Sequence, residues 1–259
     1  MKNNKRYIVL LIILVVFFVL MYTLIGKDSI ENRKKEATIL VGDGTTWEYS
    51  NNRWVNLKLE SSIEKYNWKK FKVFLDNEYK DDYLVWHDDK WYLFDDNKVA
   101  QNYTENFLGI NSNYDIKTKS FEVKDIENYN YVEDVFNKND ITSSTELTVN
   151  THTEVDLDND GQVEDIYIVS NVFPIDFEPS QVFSFVFVVK NNKIYNLYKS
   201  IEKYEGTNGT KPYINSIIDV DDDGDYEILL TCAKYSTEQP INILYKFIDN
   251  DFKILISNQ

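Results

Sequence analysis

Several residue types that carry chemistry are scarce in this sequence. One cysteine and two histidines occur among 259 residues, and 28 basic residues face 43 acidic ones. A single cysteine excludes an intrachain disulfide and leaves the redox compartment open. The sequence contains no nucleophile elbow, phosphate-binding loop or HExxH motif. Its formal charge of -15 repels phosphate backbones, so nucleic acid is not an expected partner.

The few reactive side chains lie where packing or turn roles account for them. Cys232 sits in the apolar run EILLTCA, which indicates a buried and unreactive thiol. His87 lies in the turn segment WHDDKW, and His152 lies in a β-like run before an acidic loop. We interpret both histidines as surface or packing residues, and the chain is not predicted to be an enzyme.

The longest uncharged run is YIVLLIILVVFFVLMYTLI at residues 7–25. As a helix it spans roughly 28 Å, close to the thickness of the hydrocarbon core. A cleaved signal peptide is the alternative, but its apolar region is usually shorter and ends in small residues. We predict a membrane anchor at 1–26 and a linker at 27–36. Basic residues flank both sides, so the short N-terminal flank is what favours a C-terminal domain outside the cytoplasm.

Residues 37–110 contain two predicted hairpins with a tryptophan on each side of a polar turn. The first is WEYSNNRW, with Trp47 and Trp54, and the second is WHDDKW, with Trp86 and Trp91. Cross-strand aromatic pairs beside a turn account for this spacing. The alternative is an exposed aromatic platform for sugars. Trp68 fits neither hairpin.

A duplicated β-unit follows a mixed connector at 111–145, in which one short helix is expected. Within 146–259, two segments show the same order: strand, acidic loop, strand, proline-containing loop, strand, polar turn, strand. Equal order at a fixed period indicates a repeated supersecondary unit. The fold class is therefore predicted to be mainly all-β and antiparallel. The usage rich in Asn, Lys, Ile and Tyr suggests a bacterial source.

Each repeat contains an aspartate ladder with glycine at the same point, DLDNDGQVED and DVDDDGDYEI. Calcium takes six to eight oxygens, and alternate acids in a tight loop turn several carboxylates toward one point. The expected ligands of the first loop are Asp156, Asp158, Asp160, Gln162 through its carbonyl, and Glu164. Those of the second loop are Asp219, Asp221, Asp223, Asp225 through its carbonyl, and Glu227.

Two other interpretations of the ladders are an EF-hand, which is a different calcium loop, and an acidic turn without a metal. An EF-hand needs a glutamate at position twelve, where Tyr167 and Leu230 stand, so the acid at position nine is the expected closing ligand. An acidic β-turn is the other, because Asp, Asn and Gly are common turn residues. Neither ladder contains Lys or Arg, and we expect its carboxylates to repel one another unless a cation binds.

The pattern D-x-D-x-D-G-x-x-E, followed by an apolar strand, resembles the calcium loops of FG-GAP and VCBS-type repeats. The resemblance covers 146–259 and implies blade-like, β-propeller-like units in an extracellular binding protein. Glutamate replaces the commoner aspartate at position nine, and two repeats are fewer than a closed propeller needs.

The expected function is a membrane-anchored, extracellular, calcium-stabilised binding or adhesion module for a protein or polysaccharide ligand. One alternative is a cell-envelope hydrolase, which a pocket joining two carboxylates with raised pKa values would favour. The other is an accessory subunit of a membrane complex, which a large exposed apolar patch would favour.

Overall fold

The computed structural model describes residues 35–75, 78–88, 90–101, 107–141, 147–172, 181–203, 209–234 and 239–259. The anchor predicted at residues 7–25 lies outside this part of the chain. Within the described part, neither helix is long and apolar enough to cross a membrane. Glu36–Gln259 group into one unit, which is mainly β-structure in antiparallel sheets, as the sequence predicts.

The N-terminal strands form a single eight-stranded sheet, here called the first sheet. Its strands are β1 (Ala37–Val41), β2 (Thr46–Ser50), β3 (Arg53–Asn56), β4 (Lys69–Leu75), β5 (Glu78–His87), β6 (Trp91–Phe94), β7 (Ala100–Gln101) and β8 (Phe107–Ser112). Their order is β3-β2-β1-β8-β4-β5-β6-β7, so the last strand is inserted between β1 and β4 and joins the two halves. Helix α1 (Leu59–Tyr66) follows β3; the sequence did not predict it.

The connector carries two short strands and the expected helix. These elements are β9 (Lys117–Thr118), β10 (Lys124–Asp125) and α2 (Asn130–Lys138). Val132, Val135 and Phe136 form the buried face of α2. The helix is therefore held by packing of its apolar face rather than by a side-chain cap, since its N-terminus has none.

The C-terminal strands form two four-stranded antiparallel meanders, each with a connector strand at one edge. They are β11 (Val149–Val155), β12 (Glu164–Ser170), β13 (Gln181–Lys190), β14 (Lys193–Lys203), β15 (Thr210–Asp219), β16 (Glu227–Lys234), β17 (Ile241–Ile248) and β18 (Asp251–Ser257). The second sheet has the order β10-β11-β12-β13-β14, and the third has the order β18-β17-β16-β15-β9. All three sheets of the described chain are open, so these strands do not close a propeller.

Polar turns set the register of both meanders. Asn191 and Asn192 have φ of 52° and 59°, and Asp249 and Asn250 have φ of 54° and 61°. Two successive residues with positive φ match the right-handed twist of the strands they join, and Asn and Asp tolerate this conformation best after glycine. The tight turns read from the sequence are therefore present at both places.

The third sheet is the middle layer of the core. One cluster joins it to the second sheet and includes Ile166 and Leu230, while another joins it to the first sheet and includes Trp47 and Leu229. Its central strand β16 is buried on both faces, which explains the mainly apolar run EILLTCA. Cys232 is fully buried there, as predicted.

The tryptophan hairpins form, but their tryptophans do not pair with each other. Trp54 lies opposite Tyr49, and Trp91 lies opposite His87; ring centroids are 5.0 Å apart in both pairs. Trp47 is instead buried in the core. Each hairpin therefore has a pair of aromatic rings facing each other across the two strands, as predicted. The predicted partners were wrong, because the strand register, in which side chains alternate between the two faces, does not place the two tryptophans of a hairpin opposite each other.

Candidate metal centres and an aromatic surface

The two acidic loops, residues 156–164 and 219–227, have the same backbone conformation. Each connects the first two strands of its meander. At position four, Asn159 and Asp222 both have φ of 55°, and at position six Gly161 and Gly224 have φ of 87° and 95°. A side chain is disfavoured in this left-handed region, and glycine at position six removes that cost. The matching positions of aspartate and glycine in the two ladders therefore correspond to the same loop geometry.

The glutamates at position nine close the loops. Glu164 and Glu227 are buried, and each accepts a backbone N–H bond at 2.8 Å, from Leu157 and Val220 respectively. Each glutamate thus bonds to the residue at position two, across the loop. The sequence predicted the acid at position nine as the closing ligand of calcium; the structure shows that this carboxylate bonds to the loop backbone.

The aspartates at position one organise the glycine turn. Asp156 accepts a bond from the N–H of Gly161, and Asp219 accepts one from the N–H of Gly224, each at 3.2 Å. Because the same oxygen–amide pair recurs in both loops, the aspartate and glycine act as one structural unit. Asp219 is almost fully buried.

The acids at positions one, three and nine converge in both loops. Their ligand atoms lie within 4.8 Å of one another in two groups, Asp156, Asp158 and Glu164, and Asp219, Asp221 and Glu227. Among the other predicted ligands, Asp160 and Asp223 bond instead to the N–H groups of Gln162 and Asp225, at 2.7 and 3.0 Å. The carboxylate oxygens suit a hard cation such as calcium.

A lysine from a neighbouring strand enters the second acidic loop. The Lys246 Nζ lies 2.7 Å from Glu227, 2.7 Å from Asp223 and 2.9 Å from Asp221. It is one register step beyond the Ile228–Tyr245 pair, which puts the lysine directly opposite the closing glutamate. The ammonium therefore contacts the carboxylates at positions three, five and nine.

Lys190 occupies the equivalent place in the first acidic loop. Its Nζ contacts Glu164 and lies 2.9 Å from Asp158. The Asp165–Val189 pair puts Lys190 opposite the closing glutamate, as in the other repeat. The expectation that the loop carboxylates lack an internal counter-charge is therefore wrong, because strands β13 and β17 supply an ammonium group that the ladders themselves do not contain.

The two loops differ in how fully their oxygens are paired. In the first loop, Asp156 Oδ1 and Asp158 Oδ1 are buried and have no hydrogen-bond partner among the described residues. Lys190 contacts two carboxylates of this loop, and Lys119 Nζ lies 3.9 Å from the third, Asp156. In the second loop, Lys246 contacts three carboxylates, and the buried Glu227 Oε1, which also lacks a hydrogen-bond partner, lies 2.7 Å from its Nζ. The first loop therefore retains more acceptor capacity for a cation.

Burial has the largest effect on the pKa of the closing glutamate in the second acidic loop. It raises the pKa of Glu227 to about 8, although the Lys246 ammonium and the Val220 N–H favour the ionised form. Burial alone would lower the pKa of Lys246, but its contacts with Asp223 and Glu227 raise it overall. The lysine is therefore charged at neutral pH, and the glutamate is the group that titrates near it.

The acidic loops also contact each other. Tyr226 N–H donates to the Leu157 carbonyl at 2.7 Å, and the Asn159 amide donates to the Gly224 carbonyl. Lys119 spans the contact, with Nζ 2.9 Å from Asn159 Oδ1 and 4.8 Å from the centre of the Tyr226 ring. A cation at one loop would therefore act on a backbone that is bonded to the other loop.

A second feature is a group of aromatic rings on the first sheet, here called the aromatic patch (Trp68, Trp86, Tyr92 and Phe94). Trp68 is 42% exposed, and its ring centroid lies 5.2 Å from that of Phe94 and 6.2 Å from that of Trp86. Tyr92 continues the group, 6.2 Å from Trp86. The sequence did not predict this patch, because Trp68 precedes β4 while its neighbours lie on β5 and β6.

The backbone of Trp68 is strained. Its φ is 62°, a conformation that bulky residues rarely adopt, and its N–H donates to the Val85 carbonyl at 2.7 Å. Lys98 Nζ lies 5.0 Å from the ring centre. Such strain costs of order 1–3 kcal/mol and is found most often at functional sites.

Comparison with known proteins gives no match for this chain. No protein-family model, no curated protein and no solved structure matches it.

Proposed function

We propose that this chain is a membrane-anchored, extracellular binding or adhesion module of the bacterial cell surface, stabilised by calcium in its two acidic loops. Residues 7–25 provide the anchor in this proposal. The observation that carries it is the matched geometry of the loops, in which carboxylates at positions one, three and nine converge and the ninth is buried against the loop backbone. The two meanders of equal strand order support the resemblance to FG-GAP and VCBS-type repeats.

Calcium is the ion that best fits these donors. Each loop offers several carboxylates and no nitrogen or sulfur ligand, which suits a hard cation that takes many oxygens. Magnesium fits less well because it demands strict octahedral geometry and retains water. Two buried, unpaired oxygens, on Asp156 and Asp158, are already available in the first loop. The backbone carbonyls of Gln162 and Asp225 complete the proposed ligand sets.

Calcium binding in this proposal is an exchange of cations. The ammonium groups of Lys190 and Lys246 contact the same carboxylates that calcium would use, so both cannot keep those contacts. The lysine neutralises its loop when calcium is scarce, and calcium replaces it when abundant. Because Asp156 Oδ1 and Asp158 Oδ1 are buried without a hydrogen-bond partner, we expect the first loop to bind calcium more tightly.

The aromatic patch supports the binding role and favours a polysaccharide over a protein ligand. The faces of aromatic rings are electronegative, and the C–H groups of a sugar ring are weakly positive, so the two stack favourably. Trp68 presents its ring at the surface in spite of a strained backbone. A protein ligand at the same patch is the alternative, as the accessory-subunit hypothesis expects.

The hydrolase alternative needs a pocket that joins two carboxylates with raised pKa values. Glu154 and Asp165 share a cavity. Burial raises the pKa of Asp165, whereas the Lys124 ammonium lowers the pKa of Glu154. This cavity does not meet the requirement. Burial raises the pKa of both Asp221 and Glu227 in the second acidic loop, but Lys246 pairs with both carboxylates, and the binding module remains our proposal.

Melting of the full chain in detergent, with chelator or with several millimolar calcium, tests the proposal. Calcium should raise the melting temperature of the wild type. The rise should be smaller in the Asp158→Asn and Asp221→Asn variants, and smallest in the double variant. The control is Asp249→Asn, the same change at an exposed turn acid, which should respond as the wild type does. Equal melting temperatures of the wild type in chelator and in calcium would contradict the proposal.

A further inference from the structure

A third group of ligand-type side chains lies on the second sheet, one register step from the Val155–Glu164 pair that borders the first acidic loop. His152 and Glu154 are two residues apart on β11 and therefore face the same side. Asp165 on β12 lies directly opposite Glu154. The metal-binding atoms of these three residues lie within 4.8 Å of one another. The antiparallel register alone brings them together.

The imidazole of His152 is oriented but not satisfied. Its ring stacks on Tyr167 at 5.7 Å and 21°, and Tyr167 stacks on Phe187 at 4.9 Å. His152 Nδ1 is buried and has no hydrogen-bond partner among the described residues. Its Nε2 lies 4.0 Å from Glu154 Oε1, which is too long for a hydrogen bond. A buried ring nitrogen without a partner is unfavourable, and binding of a metal ion by the imidazole would remove part of that cost.

The surroundings of the three residues are acidic and open to a ligand. A cavity of about 360 Å³ lies over them, and its wall includes Asp125 and Glu127. Lys124 pairs with Glu154 at 3.0 Å, from a position where both side chains are nearly half exposed. One ammonium therefore faces several carboxylates, and Asp165 has no ion-pair partner among the described residues.

We propose that His152, Glu154 and Asp165 form a binding site for a divalent transition-metal ion, of which zinc is the representative. An imidazole nitrogen with two carboxylates is a donor set that zinc accepts and that calcium, which prefers oxygen ligands, does not favour. Three protein ligands leave a coordination position for water or a ligand donor from the cavity. The site uses none of the ligands of the proposed calcium loops, and its side chains lie on the opposite face of the strands from that of Glu164, because successive side chains of a strand alternate.

The test is titration of the full chain in detergent with Zn²⁺, and with Co²⁺ as a visible-absorbing substitute. His152→Ala should weaken binding by at least about tenfold, since even outer-shell partners are worth that much, and Asp165→Asn should weaken it similarly. Asp158→Asn, a variant of the first acidic loop, is the matched control and should leave zinc affinity unchanged. In turn, His152→Ala should leave the calcium response unchanged.

A measurement on the wild type keeps the test independent of how the variants fold. The chain has two histidines, so imidazole ¹⁵N spectra resolve them readily. Zinc should shift the His152 nitrogens and leave those of His87, which packs on Trp91, in place. Absence of zinc binding at micromolar concentration, binding without a His152 shift, or undiminished binding by a folded His152→Ala variant would each overturn the proposal.

Discussion

Replacing Lys246 with methionine removes the cation from the second acidic loop and retains most of the aliphatic length of the side chain. Glu227 is fully buried, whereas Asp221 is 27% and Asp223 is 45% exposed. Because the pKa of Glu227 is about 8, the comparison is made above that pH, where Glu227 is ionised. There, removing one partner of a buried ion pair costs about 3–5 kcal/mol, because the remaining charge has no counter-charge. Because the two aspartates are partly exposed to solvent, we expect the free energy of unfolding in chelator to fall by about 3 kcal/mol, the lower end of this range.

This loss should be large enough to measure and should be reversed by calcium. For a chain of this size, 3 kcal/mol corresponds to a fall in melting temperature of roughly 6–12 °C. Calcium no longer competes with an ammonium in the variant, and binding at one hundred times Kd returns about 2.7 kcal/mol. The Lys246→Met chain should therefore be unstable in chelator and close to the wild type in excess calcium.

Thermal melting followed by circular dichroism measures both effects in one experiment. Lys253→Met is the matched control, since Lys253 pairs with Asp249 at 2.7 Å but the two side chains are 47% and 81% exposed. That variant should lose at most about 1 kcal/mol and show no added calcium response. If Lys246→Met melts like the wild type in chelator, or gains no more from calcium than the wild type does, the exchange of cations is refuted.

Three further predictions use other groups. Because burial raises the pKa of Glu227 from 4.5 to about 8, its stabilising contribution in chelator is present below about pH 4.5 and is lost as pH rises through 8. In Glu227→Gln, the free energy of unfolding measured with urea should therefore decrease less with rising pH than it does in the wild type. The exposed control Glu78→Gln should show the same decrease as the wild type. Burial raises the pKa of the Cys232 thiol to about 12, so it should resist Ellman's reagent until the chain unfolds; rapid reaction of the native chain would contradict this. Trp68→Gly relieves backbone strain of order 1–3 kcal/mol but removes the ring contacts with Trp86 and Phe94, so stability should change little. The variant should no longer sediment with insoluble cellulose, chitin or cell-wall glycan; undiminished sedimentation would exclude the patch.

The meanders could be read from the sequence because their signals are local. Alternating or continuous apolar runs give the strands, and Asn191–Asn192 and Asp249–Asn250 give the turns. The acidic loops are also local, since position nine closes each loop on position two through Glu164 and Glu227. Each of these features depends on residues close together in the chain.

The lysines of the acidic loops could not be found from loop composition. Lys190 and Lys246 belong to strands beyond a second loop, and only the strand register places them opposite the closing glutamates. A signal was nevertheless present, because each is the single lysine of a mainly apolar strand and lies at its C-terminal end or two residues before it, at the same register position in both repeats.

The first sheet was the least predictable part of the fold. Insertion of β8 between β1 and β4 depends on pairing between distant segments, such as Ile39 with Ile110. Helix α1 lacks a side-chain cap, and its buried residues are Ser62 and Tyr66, so its sequence carries no strong apolar stripe. The aromatic patch follows from the same long-range arrangement.

Isothermal titration of the full chain with calcium tests the central claim most directly. The account predicts two ions per chain, with dissociation constants of roughly 10⁻⁴ to 10⁻³ M as in other extracellular calcium sites. The Asp158→Asn and Asp221→Asn double variant should bind neither ion at these concentrations. If the wild type gives no calcium-binding heat and no calcium-dependent change in melting temperature, the loops are acidic turns closed by Lys190 and Lys246 alone.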